Sequence, residues 1–197
     1  MLRPGLESVF LYLASYDIEN QTHVKHTVSW DYSVGDYLIF NNKCLFTVDY
    51  DGNTELFSIT LDYTSEKKET LKQLTKFESS PSSKSLPFGM IEKEGDMLDA
   101  YLTETSDIFP NRISLMSIHK SLEQEAKSVV IKHEPNPEFH QNFYTVQQTK
   151  FQFKGASLDS TQGWLLKPIN FDDKMTYPVA LIIHGGPEGS LGNHWSY

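Results

Sequence analysis

One stretch near the carboxyl end restricts the fold more than any other: Tyr177-Pro178-Val179-Ala180-Leu181-Ile182-Ile183-His184-Gly185-Gly186-Pro187. A five-residue apolar run fenced by a proline and by two glycines predicts a short strand buried on both faces and closing in a tight loop. Paired glycines free the backbone for positive φ and let a ligand approach without meeting a Cβ, so their N–H groups can be aimed at one point. Donors aimed in this way stabilise an oxyanion in acyl transfer. A strand-end turn without chemistry is the plain alternative for so short a motif.

The 197 residues suffice for one ordinary domain or for parts of two, and a net charge of -9 bears on what the chain can bind. Counterion release on nucleic acid or an anionic membrane needs clustered Lys and Arg, and none is visible, so no nucleic-acid or membrane partner is expected. Peptides, esters and small molecules are the better substrate classes. Cys44 is the single cysteine, which rules out an intrachain disulfide, and in Lys43-Cys44-Leu45-Phe46 it reads as a small buried hydrophobe. No apolar run reaches transmembrane length, and the patch from Val9 to Ala14 is too short and poorly flanked for a signal peptide. Asn20-Gln21-Thr22 has the form of a glycosylation sequon, a tripeptide that also arises by chance.

Up to about Phe139 the chain reads as all β, with short strand-like runs separated by turn signals and almost no helical period. Strands are expected at Val9 to Ser15, Asp36 to Phe40, Cys44 to Val48, Thr54 to Leu61 and Leu71 to Thr75. Asp51-Gly52 between two such runs is a strong hairpin signal. Leu56-Phe57-Ser58-Ile59-Thr60 and Leu115-Met116-Ser117-Ile118-His119 alternate in the same way and overlay as the same position of two four-strand units, the pattern of propeller blades. Ser121 to Lys127 is read as a charged hairpin tip, and Glu78 to Ser85 as a polar surface connection. His133-Glu134-Pro135-Asn136-Pro137 cannot continue a ladder, which places a boundary near residue 140. Beyond it, Thr149 to Lys154 and Gly163 to Lys167 are expected to pair as antiparallel strands, with a turn at Phe171 to Lys174, before the apolar run.

These residues carry a family resemblance. Phe151-Gln152-Phe153-Lys154-Gly155-Ala156, Gly163-Trp164-Leu165-Leu166-Lys167-Pro168, Tyr177-Pro178 and His184-Gly185-Gly186-Pro187-Glu188-Gly189-Ser190 resemble the passage from propeller to catalytic domain in the prolyl oligopeptidase family of serine peptidases. The likeness is strongest to its dipeptidyl-peptidase V and acylaminoacyl-peptidase branch. Upstream, Arg3-Pro4-Gly5-Leu6-Glu7-Ser8 and Trp30-Asp31-Tyr32-Ser33-Val34-Gly35-Asp36 resemble propeller blades of the same group, in which arginine is common at the position of Tyr32. The resemblance implies the last blades of a β-propeller over residues 1–140. It implies the first strands of a truncated α/β-hydrolase domain over residues 141–197, acting on peptides without metal or organic cofactor. Gly186 would be the backbone donor to the oxyanion, Gly185 and Pro187 would shape the loop, and His184 would fix its conformation.

In this family the serine, aspartate and histidine of the triad follow the oxyanion loop, so no triad residue maps onto this sequence and the chain alone is expected to be inactive. Glu188-Gly189-Ser190-Leu191-Gly192 imitates a nucleophile elbow but lacks the first glycine and a strand of its own, so Ser190 is a decoy. His23 and His26 have a spacing open to a metal but no third ligand nearby, and read as surface residues. His133 and His140 flank the proline-rich boundary, while His194 reads as a loop residue near the entrance to the site. Glu92/Glu94 and Asp172/Asp173 read as solvated turns. Two other functions remain open: a non-catalytic β-propeller binding module, and an esterase of the same hydrolase fold, since an oxyanion loop does not choose between ester and amide.

Overall fold

The computed structural model describes residues 10–61, 71–76, 82–135, 137–138, 146–156, 158, 160–185 and 190–195. Among them the regular structure is entirely β. Strands β1 (Ala14–Asp17) and β2 (Thr22–Lys25) form a hairpin; β3 (Tyr37–Phe40), β4 (Lys43–Tyr50), β5 (Asn53–Thr60) and β6 (Lys72–Gln73) follow as one antiparallel sheet in sequential order. The next sheet is built from β7 (Ser83–Lys84), β8 (Gly89–Glu92), β9 (Met97–Ser106), β10 (Phe109–His119) and β11 (Ser128–His133), with β7 and β8 both pairing β9. A separate two-stranded sheet holds β12 (Gln147–Lys154) and β13 (Ser160–Lys167).

The Asp51-Gly52 signal is realised as a two-residue hairpin: Tyr50 pairs with Asn53, and Asp51 and Gly52 take φ of 52° and 87°. Positive φ at both central residues is the type I′ turn, whose twist matches that of the flanking strands. Each of the two larger sheets is a sequential meander in which β5 and β10 hold the third position, so the segments that overlay in sequence occupy equivalent places. The Ser121 to Lys127 stretch connects β10 to β11 as a hairpin loop, as its charges suggest. It also docks on the first sheet: Ala126 N–H donates to the Leu74 carbonyl (2.8 Å), and Lys43–Glu123 and Lys76–Glu125 ion pairs (both 2.8 Å) fasten its rim.

Side-chain alternation explains the packing. On β4, Cys44, Phe46 and Val48 point to one face and Leu45 to the other, and β5 divides in the same way between Phe57/Ile59 and Leu56. The first face joins Leu13, Val34 and Leu61 with Trp30 and Tyr50 against it; the second joins Leu98, Ala100, Leu102, Met116, Ile118 and Leu122 of the next sheet. The first sheet is thus buried on both faces, and β4 and β5 lack the hydrophobic-polar alternation of a half-exposed sheet. Strands β9 and β10 commit every second residue to the shared core, from Leu98 to Glu104 and from Ser114 to Ile118. Burying each Leu here contributes about 1.5–3 kcal/mol.

Three expectations need correction. Glu78 to Ser85 is not a surface connection where it is described: Ser83–Lys84 pairs with β9 as β7, and Ser82, Ser83 and Lys84 are buried, while residues 78–81 lie outside the described residues. The first strand is Ala14–Asp17 rather than Val9 to Ser15, of which Val9 lies outside the described residues. More consequentially, Val179 to Ile183 is neither buried nor a strand: Val179, Leu181, Ile182 and Ile183 are 91%, 83%, 79% and 82% exposed. The physical reason is that a strand buried on both faces needs neighbours to satisfy its backbone and cover its side chains, and no described strand pairs with this run.

Candidate functional site

The loop that ends the apolar run is only partly within the described residues. His184 is exposed, with Nδ1 3.3 Å from the Gly185 carbonyl, and a Cβ on Gly185 would meet nothing within 4 Å. Gly185 is not in the positive-φ region, so the conformational freedom expected of it is not used there. Gly186 and Pro187 lie outside the described residues, as do Glu188 and Gly189. Ser190, where the chain is described again, is exposed.

From Leu191 to Trp195 the chain is hydrogen-bonded to the rest of the molecule. Trp164 Nε1 on β13 donates to the Leu191 carbonyl (2.8 Å), Asn193 N–H donates to the Gly52 carbonyl (2.7 Å), and Trp195 N–H donates to Thr105 Oγ1 on β9 (3.2 Å). Lys150 on β12 reaches the same turn, pairing with the Asp51 carboxylate and donating to its carbonyl at 3.2 Å. The Asp51-Gly52 turn is therefore a meeting point of the first sheet, the β12–β13 hairpin and the segment behind the candidate loop. His194 is exposed, its imidazole beside Gly192.

The remaining sequence candidates are dispersed. His26 Nε2 lies 2.9 Å from Ser15 Oγ, while His23 is an exposed residue of β2 opposite Tyr16. His133 ends β11 in solvent, and His140 lies outside the described residues. Glu92 pairs with Lys120 (2.9 Å), Glu94 is an exposed turn residue, and Asp172 Oδ1 caps the Lys174 N–H (3.0 Å) beside exposed Asp173. Cys44 is buried, and burial pushes its thiol up to about 11, which suits packing and not nucleophilic attack.

A buried ionic network between the two larger sheets was invisible in the sequence. Glu104 accepts from Arg112 Nε (3.0 Å), Ser82 Oγ (2.7 Å) and Ser114 Oγ; Lys84 Nζ donates to the Ser82 carbonyl (2.7 Å) and hydroxyl (3.2 Å). Burial works to raise the Glu104 carboxyl, but the Ser114 and Ser82 hydrogen bonds and the Arg112 guanidinium outweigh it and hold the group below its ordinary value. Burial lowers Lys84, opposed by the nearby Glu55 and Glu104 carboxylates. Glu55 accepts from Asn53 Nδ2 (3.0 Å) and Thr75 Oγ1, the latter hydroxyl also accepting from the Leu56 N–H (2.9 Å). The network joins the sheets and presents no open face to a ligand; each carboxylate is spent on a neighbour.

No protein-family profile matches the chain. A stretch of 34 residues, 17% of the chain, is 54% identical to dipeptidyl-peptidase 5 of Arthroderma otae and to dipeptidyl-peptidase 5 of Trichophyton equinum, and it covers 5% of each of those proteins. The fold is similar to that of an acylaminoacyl peptidase in complex with Z-Gly-Gly-Phe-chloromethyl ketone, with a TM-score of 0.59 and 19% identity over 87% of this chain and 23% of that one. Pyrococcus horikoshii acylaminoacyl peptidase matches over the same shares with a TM-score of 0.58. The likeness to the acylaminoacyl peptidases is one of fold, and the chain spans under a quarter of their length. Among the described residues, no helix is long and apolar enough to cross a membrane.

Proposed function

We propose that this chain is the part of a prolyl oligopeptidase-family serine peptidase in which the last propeller blades, up to about residue 140, pass into the hydrolase domain. The 34-residue stretch at 54% identity to dipeptidyl-peptidase 5 carries this reading. The two stacked meanders support the blade assignment, and the apolar run, which has no strand partner among the described residues, supports a sheet completed by residues outside this sequence. In the whole enzyme the substrate would be a peptide cleaved near its amino terminus. Serine would attack the scissile carbonyl, histidine would carry its proton to the leaving amine, and aspartate would orient the histidine. From this chain, the Gly186 N–H would donate to the oxyanion, with His184, Gly185 and Pro187 setting the loop. No metal or organic cofactor enters this mechanism.

Fluorophosphonate labelling tests the reading. The native protein, isolated from the cells that make it, is expected to label and to release dipeptides, and Gly186→Ala to lower kcat by about 10²–10³-fold. The chain ending at Tyr197 is expected to remain unlabelled. A label on Ser190 in that chain would overturn the placement of the nucleophile outside it. A native protein that neither labels nor hydrolyses peptides would favour the binding-module alternative, to which the shared core of the two sheets also conforms.

A further inference from the structure

Asn193 is 3% exposed, although Leu191 and His194 on either side face solvent. Three of its polar atoms are used on three different pieces of the fold. Its N–H donates to the Gly52 carbonyl at the tip of the β4–β5 hairpin (2.7 Å), its carbonyl accepts from Ser83 Oγ on β7 (2.9 Å), and its Oδ1 accepts from the Asp107 N–H at the tip of the β9–β10 hairpin (2.8 Å). Ser83 Oγ also accepts from the Thr54 N–H (3.0 Å), so one hydroxyl touches both sheets and this segment. Neighbouring Gly192 fits because it has no side chain: a Cβ there would lie 2.8 Å from His194 Nε2 and 3.3 Å from the Gly52 carbonyl.

We propose that Asn193 is a positioning residue, latching the segment behind the His184-Gly185 loop onto the tips of two hairpins from two different sheets. A buried amide with a backbone N–H to satisfy at Asp107 is a costly group to misplace, because withdrawing Oδ1 leaves that donor without its acceptor in a half-buried turn. The latch also limits the loop. Upstream, Val179 to Gly185 has no strand partner among the described residues, so little on that side holds the loop in register. Downstream, the contacts of Asn193 hold residues 191–195 against the tips of the two hairpins. The consequence for catalysis rests on the oxyanion-loop reading; the latch itself does not.

Amide hydrogen exchange on the 197-residue chain tests the latch without any activity. Asn193→Ala keeps both main-chain bonds and removes the side-chain amide, Oδ1 included. Exchange at the Asp107 amide is expected to rise at least about 10-fold and exchange across residues 191–195 to rise with it, while core amides such as Leu102 keep their protection. Asn193→Asp, which retains an oxygen at Oδ1, is expected to restore protection at Asp107. Unchanged exchange at Asp107 in Asn193→Ala, or a rise spread evenly through both sheets, would overturn the proposal. In the native protein, the same substitution is expected to lower kcat about 10–100-fold with KM within about twofold. If exchange responds as expected but the native protein has no hydrolytic activity, the latch stands and the peptidase reading falls.

Discussion

Leu45 and Leu56 are fully enclosed, whereas Val179 and Ile183 keep 91% and 82% of their surface. Both pairs belong to short apolar runs bounded by turn residues, and sequence pattern alone assigns both to buried strands. What separates them is the company of other strands. The run at Cys44 to Val48 has β3 and β5 on its two edges, Leu13, Val34 and an aromatic layer on one face, and a second sheet on the other. The run at Val179 to Ile183 has none of these among the described residues. Periodicity reports what a segment needs in order to be buried; it does not report whether the chain supplies it.

The widest separation between the two regions is expected from deleting a large side chain on the enclosed side. Phe46 is fully buried and packs on Trp30 (centroids 6.1 Å apart) and Phe57 (6.2 Å). Phe46→Ala should lower unfolding free energy by about 3–5 kcal/mol, since neither the sheet nor the aromatic layer can collapse into the space. Urea denaturation followed by Trp fluorescence measures it. A loss under about 1 kcal/mol would mean that this face is not a packed core.

Next in size is the buried ion pair between neighbouring strands β9 and β10 of the second sheet. Arg112→Met removes the ion-pair partner of buried Glu104 and should cost about 1–3 kcal/mol, the desolvated carboxylate keeping its serine donors and the nearby Lys84 charge. The same site sets an acid limit. The folded Glu104 carboxyl lies below its ordinary value, so its contribution is fully present above about pH 4.5 and is lost as pH falls through the lowered folded value. Glu104→Gln should flatten the acid side of a stability-pH curve; an equally steep loss in the variant would assign acid sensitivity to other carboxylates.

A smaller effect is expected where the two regions touch. Gly52 has φ of 87°, and a Cβ there would collide with the Trp164 ring and lie 2.6 Å from Gln162 Nε2. Gly52→Ala should cost about 1–2 kcal/mol from the backbone alone. Its sharper signature is displacement of Trp164, read as a change in indole fluorescence. A stability loss without that change would mean that the β12–β13 hairpin does not rest on the turn.

Much of the first region was legible because local chemistry and tertiary placement agree there. Asp51-Gly52 names its own turn, and the matched runs at Leu56 and Leu115 fall on equivalent strands. The ionic network escaped because Glu55, Lys84 and Glu104 come from different strands, and nothing local distinguishes a charged residue that finds a buried partner from one that faces water. Asn193 escaped for the same reason: its value lies in Gly52, Ser83 and Asp107, each far from it in sequence. The His184 loop was legible as a motif, but the fold expected to carry it depends on a sheet that the described residues do not form.

The smallest effect in this chain is also the most discriminating. Ile183→Asp places a charge where the side chain is already 82% exposed, so its unfolding free energy should move by no more than about 0.5 kcal/mol. Removing apolar surface from the run should also reduce self-association, measurable by sedimentation at increasing concentration. In the native protein the proposed hydrolase sheet reverses the expectation: an unpaired carboxylate in a strand covered on both faces should abolish soluble expression or cost several kcal/mol. A substitution equally silent in both settings would leave the apolar run without a sheet to join. That outcome would remove the structural reason for placing the candidate oxyanion loop at the edge of a hydrolase domain.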